Sequence, residues 1–291
     1  MSTEQPPTGF RAFLNKGGFW RFLFVMAIYF AIYLPAGKLA ANLADRSLSE
    51  GDTLSSIGTV FVQLTAALIV GSIVLVAFTT FMGWNAEIFS RQPIYRSAWM
   101  WIAPVVVLTP IVLRVLGIDW GGRAVSVSVM MMATGLLIGF SEELLFRGVA
   151  VKMLRSSGYR EWSVAAISSA LFALSHSLNI FSGGSLRTVS TTVLYTFAFG
   201  TLMYLSMRVI GFIGGAMILH ALTDPTTFLA TGGLPDAVDA TSVTGLAAVG
   251  GKFTIVVILA GWIMAAFIRG KVGEPKGAKG AAAPRSSVPV A

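Results

Sequence analysis

Residues 124–152 read AVSVSVMMMATGLLIGFSEELLFRGVAVK. A helix crossing the hydrocarbon core of a bilayer takes about 20 mostly apolar residues, and this stretch is long enough. Yet Glu142, Glu143 and Arg147 lie inside it. Ionisable groups at membrane depth are costly, so they face protein or a water-filled cavity and mark a functional site. The stretch therefore reads as a membrane helix with a polar face turned toward partner helices, and the rest of the chain must supply those partners.

Composition agrees. The chain has 291 residues, 55% of them hydrophobic and 12% charged, against about 25% charged in a soluble domain. So few charges cannot cover a soluble surface of this size. The same figures exclude intrinsic disorder of the whole chain, which needs low hydrophobicity and high charge. There is no cysteine and there are only two histidines. Disulfide scaffolds, thiol catalysis and thiolate zinc sites are thereby excluded, and any imidazole chemistry must use those two residues.

Outward from 124–152, seven more apolar stretches are expected as spans, near 20–43, 54–82, 97–116, 163–181, 187–209, 212–230 and 251–269. Pro104 and Pro110 interrupt the third of the eight. The expected fold is an all-α polytopic membrane protein with one transmembrane domain, 20–269, whose site-bearing core is 125–230. A segment 1–19 precedes it, a Gly/Pro/Asp loop occupies 231–245, and a low-complexity basic tail, 270–291, is expected to be disordered. Arg11, Lys16 and the small residues of LAANLA imitate a signal peptide, but the apolar run outlasts a usual h-region, so the first helix is expected to be retained.

The net charge is +8. With the N-terminus inside, six of the 21 basic residues (Lys38, Arg46, Arg114, Arg123, Arg187 and Lys252) fall on the outer side, fourteen on the inner, and Arg147 within a span. By the positive-inside rule both termini are cytoplasmic. A nucleic-acid binder instead gathers its basic residues on one face or arm, so no nucleic-acid partner is expected. The expected partners are the bilayer and a peptide or protein substrate, lipidated or not. The location is a plasma or inner membrane if the source is bacterial.

Other spans carry polar groups too: His176 in FALSHSLN, and His220 with Asp224 in ILHALTDPT. At about 1.5 Å of rise per residue, Glu142, His176, His220 and Asp224 sit roughly 15, 20, 12 and 18 Å from the ends of their spans. All lie near the middle of a core about 30 Å thick. Three helices thus bring polar groups to one depth. Glu143 and Arg147 are spaced i,i+4 with the acid first, the favourable order for an ion pair. Glu142 points about 100° away and stays available as a general base for water. His220 and Asp224 share one face, and Pro225 is expected to open the helix there. A carboxylate base with imidazole donors suits hydrolysis of an acyl bond. Each motif alone also has a structural reading as an ion pair or interhelical hydrogen bond. Gly135/Gly139 and Gly211/Gly215 read as packing pairs, and Phe19, Trp20, Phe22 and Phe24 as an interfacial belt.

EELLFR at 142–147, FALSH at 172–176 and HALTD at 220–224 follow E-E-x-x-x-R, F-x-x-x-H and H-x-x-x-[ND]. In this order, on separate apolar helices, they resemble the CAAX-protease and bacteriocin-processing (CPBP, or Abi) family of intramembrane endopeptidases. That family includes the type II CAAX prenyl endoproteases, to which the chain is similar also in its eight expected spans. The resemblance covers about residues 125–230. It implies peptide-bond hydrolysis in which Glu142, assisted by His176, activates water and His220 and Asp224 form the oxyanion side. Glu143 and Arg147 would orient the site, with Phe172 supporting it, and no cofactor is implied.

The CAAX endoproteases resemble H-x-x-x-N where this chain has Asp224. An amide donates to an oxyanion and an ionised carboxylate does not, so Asp224 either carries a proton or orients His220. Two alternatives stand beside the metal-free glutamate mechanism. Glu142, His176 and His220 could hold zinc with one position open for water, although HExxH spacing is absent. A non-enzymatic immunity-type or transport protein could use the same groups for stability or proton relay. A serine mechanism at Ser141 or Ser175 lacks a nucleophile elbow.

Overall fold

The computed structural model describes residues 8–182, 184–233 and 245–273, and every element among them is helical. Eight long helices carry the architecture: α1 (Phe19–Leu43), α2 (Ile57–Met82), α3 (Ala98–Gly117), α4 (Val125–Ser156), α5 (Glu161–Phe181), α6 (Leu186–Ile210), α7 (Ile213–Thr231) and α8 (Gly245–Ala265). Seven are long and apolar enough to cross a membrane. The exception, α7, has the length, but His220, Asp224 and Pro225 dilute its apolar residues. The chain is an all-α, polytopic membrane protein. Segments 1–7, 234–244 and 274–291, which hold most of the expected loop 231–245 and of the expected disordered tail, lie outside the described residues.

Helices α4 and α6 are the most buried, whereas α1 and α8 bury little. Side chains such as Ile73, Val129, Leu136 and Leu259 point outward. Apolar surface on this scale needs an apolar partner, and for membrane-length helices that partner is lipid. Inside, α4 packs most extensively on α7, α5 on α6, α6 on the second half of α8, and α3 on α7 and the first half of α8.

The α4–α7 crossing explains the pair Gly135/Gly139. A Cβ on Gly139 would lie 2.4 Å from the Met217 carbonyl oxygen and 2.6 Å from the Ala221 nitrogen. One on Gly135 would lie 2.5 Å from both the Ala221 oxygen and the Pro225 ring. Only bare backbone lets the two helices come this close, as in small-residue membrane packing. The other pair is different: Gly211, at φ +103°, caps the end of α6, whereas Gly215 lies in the first turn of α7, where an added Cβ would meet the Ile210 side chain at 2.6 Å.

Several expectations are corrected. Helix α7 runs unbroken through Pro225. The carbonyl that proline deprives of a donor is that of Ala221, and Gly135 receives both it and the ring. The irregular backbone lies elsewhere: α4 widens into a π-helix over Leu144–Ala150, just after the two glutamates, and α5 tightens to a 3-10 helix from His176. Helix α8 starts at Gly245, not near 251, because glycine-rich GLAAVGGK is helical against α3.

Two arginines assigned to loops are buried. Arg208 donates to the carbonyls of Tyr95 and Arg269, and Arg114 lies within α3. The end of α4 is anchored by Arg155, whose Nε and Nη2 donate to the two Glu161 oxygens at 2.9 and 2.8 Å while Nη1 donates to Gln92 at 2.7 Å. The Tyr204 hydroxyl donates to the same carboxylate.

Candidate active site

The close α4–α7 crossing sets two carboxylates against one imidazole. Glu143, fully buried, accepts at Oε1 from Arg147 Nη1 at 3.1 Å, the i,i+4 pair anticipated from spacing. The same oxygen lies 2.8 Å from His220 Nδ1. A carboxylate in that ion pair only accepts, so Nδ1 of His220 carries the hydrogen. Glu143 therefore fixes the ring as well as neutralising Arg147. His220 Nε2 points the other way, 3.6 Å from Glu142 Oε2 and 3.6 Å from Asp224 Oδ2. Asp224 thus sits on the side of the ring opposite the nitrogen that orients it, and the orienting carboxylate is Glu143.

Phe172 joins the second histidine to this cluster. Its ring lies 4.9 Å from that of His176 and 5.8 Å from that of His220, both edge-on. The Arg147 guanidinium stacks over it at 4.6 Å. Such contacts are worth of order 1 kcal/mol each and lock the rotamers of the charged groups. His176 Nδ1 lies 2.9 Å from the Phe172 carbonyl oxygen. A carbonyl cannot donate, so this nitrogen also carries a hydrogen, and in the neutral ring Nε2 is the acceptor. Phe199 closes on His220 at 4.9 Å.

Of these groups Glu142, His176 and Asp224 line a cavity of about 710 Å³ to which each of the eight helices contributes, with Tyr29, Gln63, Arg114, Tyr195 and Thr254 among the other lining residues. That volume lies within the range of small-ligand pockets. Glu142 and Asp224 are each about a third exposed toward it, whereas Glu143 and Arg147 are closed off behind. Glu142 Oε2 makes no hydrogen bond. The structure thus brings Glu142, Glu143, Arg147, Phe172, His176, His220 and Asp224 together, five of them (Glu142, Glu143, Arg147, His220 and Asp224) joined by polar contacts of 3.6 Å or less. Among the described residues no group of three or more His, Asp or Glu side chains is disposed to hold a metal ion.

Sequence reasoning missed Arg114 and Tyr195. Arg114 had a signal: it stands inside the apolar run VVVLTPIVLRVLG, where an ionisable residue deserves the same suspicion as Glu142. Tyr195 had none, since a tyrosine near a span end reads equally as an interfacial anchor.

Comparison with known proteins falls on the same residues. Positions 124–226 match the family described as type II CAAX prenyl endopeptidase, Rce1-like. No curated protein and no solved structure matches the chain. The matched stretch contains all seven clustered residues, and the family it is similar to is described as an endopeptidase, a hydrolase.

Proposed function

We propose that the protein is an intramembrane endopeptidase in which Glu142 activates water, with prenylated CAAX-type peptides among its substrates. The observation that carries this reading is the unequal treatment of adjacent carboxylates. Glu143 is sealed and engaged by Arg147 and His220, while Glu142 lines the cavity with about a third of its side chain exposed. A base must reach the proton it abstracts, and only Glu142 of the pair is so placed.

In the proposed reaction Glu142 takes a proton from water whose other hydrogen is held by the lone pair of His176 Nε2. The water oxygen attacks the scissile carbonyl carbon, and the carbonyl pair becomes an oxyanion. His220, its Nδ1 hydrogen held by Glu143, stabilises that oxygen through Nε2–H in its doubly protonated form. Collapse breaks the C–N bond, and the leaving amine takes the proton from Glu142. Asp224, beside Nε2, balances the charge of the imidazolium. The termini are assigned to the cytoplasmic side by the distribution of basic residues.

The test is hydrolysis of a panel of farnesylated peptides by purified Glu142→Ala, His176→Ala and His220→Ala. Loss of a general base costs about 10²–10⁴-fold in rate, and each variant is expected to fall in that range while remaining folded. Persistent cleavage in all three would end the catalytic reading in favour of a scaffold.

A further inference from the structure

Among the residues lining the cavity with Glu142, His176 and Asp224 is a cation that the proposed chemistry does not use. Arg114, in the last turn of α3, is 6% exposed. Its stem packs on Gly250 of α8, where an added Cβ would meet Arg114 Cγ at 3.0 Å, and its side chain borders the cavity. Nη1 is sealed from solvent without a hydrogen-bond partner, and among the described residues no carboxylate pairs with it. The other buried arginines all have polar partners: Arg147 has Glu143, Arg155 has Glu161, and Arg208 has two backbone carbonyls.

A guanidinium stays charged in proteins, and a buried donor left without a hydrogen-bond partner is costly. An arginine held so near a ligand-sized space therefore points to an anionic group in the ligand. Its planar fork matches a carboxylate in bidentate fashion. A peptide that lays its scissile bond between Glu142 and His220 has such a group at its chain end. We propose that Arg114 is a specificity-determining residue that binds the α-carboxylate of the substrate's C-terminus. This rests on the peptidase reading and refines it: the enzyme selects chain ends, and the span from Arg114 to Glu142 sets how far from the end it cuts.

The experiment uses the full-length protein in phosphatidylcholine nanodiscs and one farnesylated, internally quenched peptide in two forms, free acid and C-terminal carboxamide. A hydrogen bond to a charged group contributes about 1.5–3 kcal/mol. The wild type is thus expected to prefer the acid by about 10- to 100-fold in kcat/KM, with the difference in KM. In Arg114→Gln the acid-to-amide ratio is expected to fall to near one. Equal turnover of both forms by the wild type overturns the proposal, as does an unchanged ratio in R114Q. Should R114Q not stay folded, R114K, which keeps the charge but loses the fork, must lower the ratio, and an undiminished ratio counts against the proposal. A preference that vanishes in phosphatidylglycerol nanodiscs assigns the guanidinium to lipid phosphate and overturns the peptide assignment. If neither peptide is hydrolysed, the peptidase reading fails, and Arg114 is then judged separately by whether the wild type binds the acid more tightly than the amide.

Discussion

Helix α4 supplies the arginines of two arginine–glutamate pairs, Arg147 and Arg155, about two turns apart, and the pairs are built differently. Near its end, Arg155 uses three nitrogens, two on both oxygens of Glu161 and one on Gln92, and Tyr204 completes the carboxylate. At the cavity, Arg147 uses one nitrogen on one oxygen of Glu143, leaving Arg147 Nε and Nη2 and Glu143 Oε2 without partners. The single engaged oxygen is shared with His220. Buried polar groups are normally satisfied, and exceptions call for an explanation. The first pair ties α4 to α5 and α6. The second gives up hydrogen bonds to hold an imidazole in one orientation, which is the arrangement expected of a site rather than a strut.

The contrast can be broken by removing the acid from each pair. Glu161→Gln leaves the Arg155 charge buried and uncompensated, and is expected to cost about 3–5 kcal/mol of stability, read as a lower unfolding temperature in detergent. Glu143→Gln is expected to cost less stability, since Arg147 has fewer bonds to lose and keeps the Phe172 ring beneath it. It is expected to lower peptide hydrolysis about 100-fold, because an amide cannot balance a charged His220 ring. Equal destabilisation by the two substitutions, with activity following only the folded fraction, would erase the distinction.

How much of this was legible follows from the range of each contact. The Glu143–Arg147 pair lies within one helix, so its spacing alone revealed it. The bond from His220 to Glu143 joins residues 77 apart in sequence; matching depths brought their helices together, but no spacing chooses which glutamate the ring will meet. The continuity of α7 was hidden because proline rules describe an isolated helix, whereas Gly135 of a neighbour takes up the displaced ring and carbonyl. Arg114 was concealed by the loop count, in which a basic residue near a span end is topological by default.

A smaller effect tests the crossing that makes the second pair possible. In Gly139→Ala the new methyl meets backbone atoms of Met217 and Ala221, which cannot rotate away. Overpacking of this kind costs about 1–3 kcal/mol, and any parting of α4 from α7 stretches the 2.8 Å bond between Glu143 and His220. Hydrolysis is expected to fall more than the loss of stability accounts for. A variant with unaltered melting and turnover would mean that the close approach does not set the site.

The smallest expected effect is the response to chelators. His220 has committed Nδ1 to Glu143, and its remaining nitrogen is 3.6 Å from the nearest carboxylate oxygens. Zinc binds imidazole nitrogen and carboxylate oxygen at about 2.0–2.2 Å, and a ligand histidine commonly donates its other nitrogen's hydrogen to a carboxylate. The bond from Nδ1 to Glu143 orients Nε2 to face an oxyanion, and among the described residues no group of three or more His, Asp or Glu side chains is disposed to hold a metal ion. On the metal-free reading, dialysis against a chelator leaves hydrolysis of the farnesylated peptides unchanged. Loss of activity restored by zinc alone would turn the comparison around: the unpaired groups facing the cavity would be parts of a metal site, and Glu143 would support a ligand instead of an oxyanion donor.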